Sequence, residues 1–333
     1  MKTPPDRRDF ILTMGASAWG LPLIAGAQEP TKKLARIGVL WHAESEAAEA
    51  KFLAEFRRGL RDLGYEEGRN ITLVNRFPAE KPELFNSLGA ELAGSNLDVL
   101  VAVTPLAALA FQRAATTTPT VFLLVSDPVG KNLVKSLAHP GGIFTGMSSL
   151  YSDLTLKRVQ LLKEAVPTLS RVIILVNANT LGSYPSADAQ QVIAEKLKVA
   201  VRMVEVRNPA DIDSAFSSIA PDRSVGLVVG PDALLYVQSA RISALALERR
   251  LPTIFPWKEG VEAGGLMSYG ADVFSQVYRG AYFVDKILKG AKPADIPVEQ
   301  PTVFTMAINS RTAKTLGITF PNSILLSADT VIE

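Results

Sequence analysis

The chain has no cysteine. That removes disulfides, thiolate zinc sites and cysteine nucleophiles together. Exported proteins can use disulfides, so the absence alone does not fix a compartment. Imidazole is scarce: His42 and His139 are the only two, and His139 falls in "AHPGG", which reads as a turn. No G-x-S-x-G, P-loop, G-x-G-x-x-G or H-E-x-x-H is present. A Ser-His-Asp triad assembled in space stays open, because triads keep no fixed spacing, but nothing points to one. Charge is nearly balanced, at +2 over 333 residues. There is no electrostatic case for nucleic acid or an anionic membrane surface. Beyond the N-terminal segment no uncharged run is long enough to span a bilayer.

What is present begins with "DRRDFILTMGASAWGLPLIAGAQ". Arg7 and Arg8 form a basic region ahead of an uncharged stretch broken by Gly15, Gly20 and Pro22. Ala25-Gly26-Ala27 then gives a small-x-small cleavage pattern. The segment reads as an export signal over residues 1–27, with cleavage after Ala27 and a periplasmic destination. The adjacent arginines fit the twin-arginine route; the Sec route stays open. The remaining 28–333 carry a formal charge of +1 and suffice for two domains.

Apolar runs then alternate with helical patterns. "LARIGVLW", "NITLVNRF", "LDVLVAVT" and "TPTVFLLVSDP" read as strands, separated by helices such as "SEAAEAKFLAEFRRGLRDLGY". The order returns after Asp153, with "RVIILVN", "VRMVEV", "SVGLVVG" and "LPTIFP" as strands. Continuous apolar strands alternating with helices predict parallel sheets covered on both faces. "LDVLVAVTPLAALAFQRAATTTPTVFL" lines up with "SVGLVVGPDALLYVQSARISALALERRLPTIF", which suggests duplicated lobes. The last seventy or so residues have no such partner and suit a chain passing back between two lobes.

In open α/β sheets, ligands bind outside the carboxyl ends of the strands. Those ends give Trp41, His42, Thr104, Ser126 and Asp127 in the first half. The second half gives Asn177, Asn179, Asp232 and Trp257, with Tyr269 further on. Helix N-termini expected after Thr104 and Ser126 would favour an anionic ligand group. Asp127 and Asp232 would approach an ammonium from opposite lobes. Trp41 and Trp257 would sandwich a ring. The same residue types also serve as helix caps and turn formers.

The segments "FLLVSDPVGKNLVKSLAHPGGIFTGMSS", "LTLKRVQLLKEAVPTLSRVIILVN" and the ending from "LKGAKPADIPVEQ" onward carry a resemblance. Through them the chain resembles the ABC-transporter substrate-binding proteins of the tryptophan/tyrosine-binding type. The resemblance implies a type I periplasmic-binding-protein fold: two doubly wound, Rossmann-like α/β lobes with parallel sheets and a multi-strand hinge. Lobe 1 is then expected over 28–149 plus 270–298, and lobe 2 over 150–269 plus 299–333. It implies a small-molecule ligand, an amino acid or related carboxylate, and an ABC permease with its cytoplasmic ATPase as partner. A monomer with no cofactor, no metal and no catalysis is expected. The family's usual Asp-Asn is Asp232-Ala233 here, and its Asn-Ser-x-x-Asn segment appears only as Asn177-Ala178-Asn179-Thr180. Two alternatives remain: an exported α/β enzyme on a small carboxylate or sugar, with Asp127 or Asp232 as base, and a sensory receptor of the same fold.

Overall fold

A computed structural model describes residues 34–150, 153–220 and 222–333. The export signal expected over 1–27 lies outside the described residues.

The first lobe runs β1 (Ala35–Leu40), α1 (Ala50–Asp62), β2 (Ile71–Arg76), α2 (Pro82–Ala93), β3 (Val99–Val103), α3 (Pro105–Arg113), β4 (Thr120–Ser126) and β5 (Phe144–Ser149). Its five strands are all parallel, in the order β2-β1-β3-β4-β5. Central β3 reads VLVAV and is buried throughout, as a parallel strand covered on both faces requires. On α1, Phe52, Leu53, Phe56 and Leu60 recur at helical spacing and fill the face toward the sheet.

The second lobe begins with α4 (Thr155–Ala165), β6 (Arg171–Asn177), a 3-10 turn (Ala178–Ser183), α5 (Ala187–Leu197), β7 (Ala200–Val206), α6 (Pro209–Ser217) and β8 (Val225–Val229). It continues through α7 (Ala233–Val237), α8 (Ser239–Glu248), β9 (Thr253–Phe255), α9 (Lys258–Glu262) and β10 (Met267–Ala271). The order β7-β6-β8-β9-β10 repeats that of the first lobe. The chain then returns as α10 (Val273–Leu288), which packs on α1 and β4. It enters the second sheet again as β11 (Phe304–Asn309), antiparallel to β10, and ends with α11 (Ser310–Leu316), α12 (Asn322–Ser327) and β12 (Thr330–Ile332). The connection between the sheets is therefore made three times.

Two glycines let backbones approach. A Cβ on Gly59 would stand 2.4 Å from the Tyr278 carbonyl oxygen, so glycine sets the closeness of α1 to α10. Gly146 has φ 142°, and a Cβ there would meet the Phe122 oxygen at 2.0 Å. The β4–β5 register shifts between Phe122 and Val125, with Leu124 at φ 59°. Such a bulge re-aims the side chains beyond it, here at the carboxyl end of β4.

The helix expected after Ser126 does not form. Residues 127–143 make a loop, broken by Pro128, Pro140, Gly141 and Gly142, since proline supplies no N–H and glycine resists helix. The loop is held instead by Gly141 N–H donating to the Ala294 carbonyl and Val298 N–H donating to that of Leu137. Between Asp232 and Arg250 the chain makes two helices, α7 and α8, meeting at Gln238.

Candidate functional site

Strand order locates the crevice. In the first lobe the order reverses between β1 and β3, and His42 and Thr104 follow those strands. In the second it reverses between β6 and β8, and Asn177 and Asp232 stand at those ends. Such switch points are where open α/β sheets bind ligands. Here both contribute walls to one cavity of about 70 Å3. His42, Phe52, Glu80, Thr104, Leu124 and Ser126 line it from the first lobe. Thr180, Asp232, Tyr236 and Trp257 line it from the second, and Val273 closes it at the start of α10.

Five of the ten residues expected from sequence stand on this wall: His42, Thr104, Ser126, Asp232 and Trp257. The other five do not. Trp41 is fully buried in the first lobe's core, edge-on to Phe56 at 6.3 Å, with its indole N–H donating to Asn75 Oδ1 at 2.9 Å. Side chains alternate across a strand; Trp41 follows Ile37 and Val39 onto the α1 side, in the same core cluster. No Trp41–Trp257 sandwich forms. Asp127, at φ 48°, accepts the Gly130 N–H at 2.8 Å and lines a separate, wider cleft with Ser149 and Asp153. Thus Asp127 does not face Asp232 in the cavity. Asn177 stands behind the wall. Asn179 is exposed and donates to the Arg207 carbonyl. Tyr269 stacks on Phe304 at 6.2 Å, away from the cavity.

The polar wall of the second lobe is built around Asp232. Its Oδ1 accepts from Asn177 Nδ2 at 2.9 Å and from the Leu234 N–H at 2.9 Å, as N-cap of α7; its Oδ2 accepts from Thr180 Oγ1 at 2.7 Å. Burial pushes this carboxyl above its ordinary range, opposed by those three donors and by His42.

Across the cavity, His42 Nδ1 is 2.9 Å from Glu80 Oε1 and 3.5 Å from Glu49 Oε1. Burial opposes a charge on the imidazole, but Glu80, Glu49 and Asp232 together raise its pKa. Burial pushes Glu80 up to about 6, with the His42 hydrogen bond acting the other way. Glu49 is fully buried and accepts the N–H groups of His42 and Ala43 at 2.9 and 2.8 Å. It fixes the loop that presents His42.

Thr104 ends β3 with φ 94°, outside the conformations a β-branched residue prefers. Its residue is 9% exposed, and its Oγ1 has no hydrogen-bond partner among the described residues. It caps α3 without a side-chain bond. Pro105 has no N–H, so Leu106 and Ala107 supply the first N–H groups of α3 without an intrahelical acceptor. The cavity wall here therefore carries a strained backbone and a hydroxyl without a partner among the described residues.

The apolar wall is aromatic. Phe52 meets Tyr236 at 5.6 Å, and Tyr236 meets Trp257 at 5.1 Å. The Trp257 N–H donates to Ser239 Oγ at 3.0 Å, which fixes the indole. Phe52, Glu80, Thr180 and Tyr236 escape a reading of strand ends alone. Glu80 lies in the loop that follows β2, beyond the strand end itself. Its left-handed backbone, φ 58° beside Ala79 at 54°, carried no signal in the sequence.

Two α/β lobes whose facing switch points enclose a polar and aromatic cavity define a two-lobed solute receptor. Residues 36–332 match the family described as ABC transporter substrate binding protein, and the chain belongs to it. It is 27% identical over 289 residues to the tyrosine-binding protein of Clostridioides difficile, covering 86% of this chain and 82% of that one. Among solved structures it is similar to an ABC domain in complex with L-Trp from Streptococcus pneumoniae, at 26% identity and a TM-score of 0.80, covering 90% of this chain and 100% of the other. It is also similar to a conserved domain protein from Vibrio cholerae, at 27% identity and a TM-score of 0.82, with the same coverage. Members of this family are extracytoplasmic solute receptors that serve a transporter.

Proposed function

We propose that this chain captures an aromatic amino acid, or a close relative with an amine, a carboxylate and an apolar body, between its two lobes. The observation that carries the reading is the division of the cavity wall into three chemistries. Glu80 and Asp232, from opposite lobes, suit an ammonium. The unpaired Thr104 hydroxyl and the first N–H groups of α3 suit a carboxylate. Phe52, Tyr236 and Trp257 suit a ring. The L-Trp complex and the tyrosine-binding protein support the same class.

In this reading His42, Ser126 and Thr180 complete the binding wall, and Asn177 orients Asp232. The lobes divide at 28–149 plus 270–298 and 150–269 plus 299–333, and move about the three connections between them. The cavity as it stands is smaller than such a ligand, so capture needs the lobes to open and close again around it. The closed form hands the ligand to an inner-membrane permease driven by a cytoplasmic ATPase. The receptor works as a periplasmic monomer without catalysis, exported by a twin-arginine signal and cut after Ala27.

A thermal-shift screen tests the ligand. At a hundred times its Kd, a true ligand stabilises the protein by about 2.7 kcal/mol. L-tryptophan or L-tyrosine should move the midpoint. A screen in which only sugars, purines or peptides move it would overturn the amino-acid class.

A further inference from the structure

We infer that closure of the two lobes requires one positive charge in the cavity, and that a proton taken up by Glu80, which lines the cavity together with Asp232 of the other lobe, can take the place of the ligand's ammonium. The inference rests on the reading that this cavity is the ligand site.

The argument starts from what surrounds the cavity. Four titratable groups meet there from four elements: His42 beyond β1, Glu49 ahead of α1, Glu80 beyond β2 and Asp232 ahead of α7. The phenol of Tyr184 lies behind Asp232 and is coupled to it. No lysine or arginine lines the cavity among the described residues. Three carboxyls and one imidazole therefore share a largely desolvated space, and isolated buried charges are costly.

The groups come from different lobes, which makes their titration a matter of conformation. His42, Glu49 and Glu80 travel together, joined by the contacts at 2.9 and 3.5 Å. Asp232 arrives only with the second lobe. In the closed form it raises the proton affinity of both His42 and Glu80. With the lobes apart, that contribution and much of the burial that raises Glu80 are absent. Glu80 therefore binds its proton more tightly in the closed form than in the open one.

The sign follows. A carboxyl whose pKa is higher in the closed form favours closure as pH falls through that value, about 6 for Glu80. His42 does not add to this: Glu80 and Glu49 stay beside it whether the lobes are open or closed, and the burial that closure brings opposes its charge. For one linked proton, the closed-to-open ratio rises at most about tenfold per pH unit. At neutral pH the ligand's ammonium supplies the charge. In acid the empty receptor closes on a proton, so acid competes with the ligand.

The absence of cysteine allows the test to be made cleanly. Spin labels on Ala54→Cys in α1 and Ala240→Cys in α8, both exposed, report the distance between lobes by pulsed electron resonance. In ligand-free protein the short-distance population should grow several-fold from pH 7.5 to pH 5, with its midpoint near 6. Glu80→Gln should close at pH 7.5 and lose the response; Asp232→Asn should weaken it in the same way. A distance distribution indifferent to pH, or a Glu80→Gln protein that titrates like the parent, would overturn the inference. The same labels with L-tryptophan at pH 7.5 separate the two readings. Closure by tryptophan but not by acid refutes the proton linkage alone. Closure by acid but by no aromatic amino acid upholds it and refutes the ligand class.

Discussion

The ring of Phe52 on α1 lies 5.6 Å from the ring of Tyr236 on α7, tilted by 65°, so the two lobes touch through an edge-to-face aromatic pair. Each ring also has a partner in its own lobe: Phe274 at 4.9 Å for Phe52, and Trp257 at 5.1 Å for Tyr236. Such pairs contribute about 0.5–1.5 kcal/mol beyond their buried area. Tyr236→Ala should lower the closed population by roughly two- to tenfold and weaken ligand binding to match, by the same arithmetic. Calorimetric titration, paired with scattering for the closed fraction, checks both. Unchanged affinity would mean that the contact does not contribute to capture.

Thr104 sets stability against binding. Its hydroxyl is buried with no partner among the described residues, so Thr104→Val removes an unmet hydrogen-bonding group while keeping the branched shape. Urea unfolding should show no loss of stability, and a gain of up to about 1 kcal/mol is in range. Affinity for a carboxylate-bearing ligand should fall by roughly tenfold or more, since a hydrogen bond to a charged group is worth about 1.5–3 kcal/mol. Loss of stability with intact affinity would make Thr104 a structural residue.

Asn177 should affect stability and affinity together. It donates to Asp232 at 2.9 Å and, through its Oδ1, accepts the Asn179 N–H. Asn177→Ala leaves both groups short of a partner, at a cost of about 1–3 kcal/mol in folding stability. Affinity should fall as well, because Asp232 loses the donor that orients it. Denaturant melts and titration calorimetry on the same preparation measure the two losses. A stable variant with full affinity would remove Asn177 from the site.

Trp41 distinguishes a core tryptophan from a ligand platform. Trp41→Phe should leave affinity within about twofold, yet destabilise the first lobe by about 1–3 kcal/mol, from lost packing and from the Asn75 carbonyl left without its donor. A large loss of affinity without loss of stability would return the residue to the binding site.

Much of the architecture was legible in the chain itself. Apolar runs such as "VLVAV" and "RVIILVN" read as strands covered on both faces, and the helical patterns between them point to parallel crossovers. The carboxyl ends of those strands then named the neighbourhood of the cavity, and His42, Thr104, Ser126, Asp232 and Trp257 line it. Which side of a sheet a strand-end residue takes was not legible. Trp41 and His42 are adjacent, yet one fills the core and the other faces the cavity, because the pleat alternates and Glu49 holds the backbone at His42 and Ala43. Partners distant in sequence were also beyond a linear reading. Glu80 meets His42 through two left-handed residues, and Phe52 meets Tyr236 only when the lobes come together. Local sequence determined the alternating strands and helices from β1 to β4 and from β6 to β9, since propensity and periodicity act over a few residues. It did not determine the loop that replaces the helix expected after Ser126, or strands β5, β10, β11 and β12. The identity of the cavity wall, and the gathering of His42, Glu80 and Asp232 from two lobes, were decided by tertiary structure, because burial and charge coupling depend on distances that no linear spacing records.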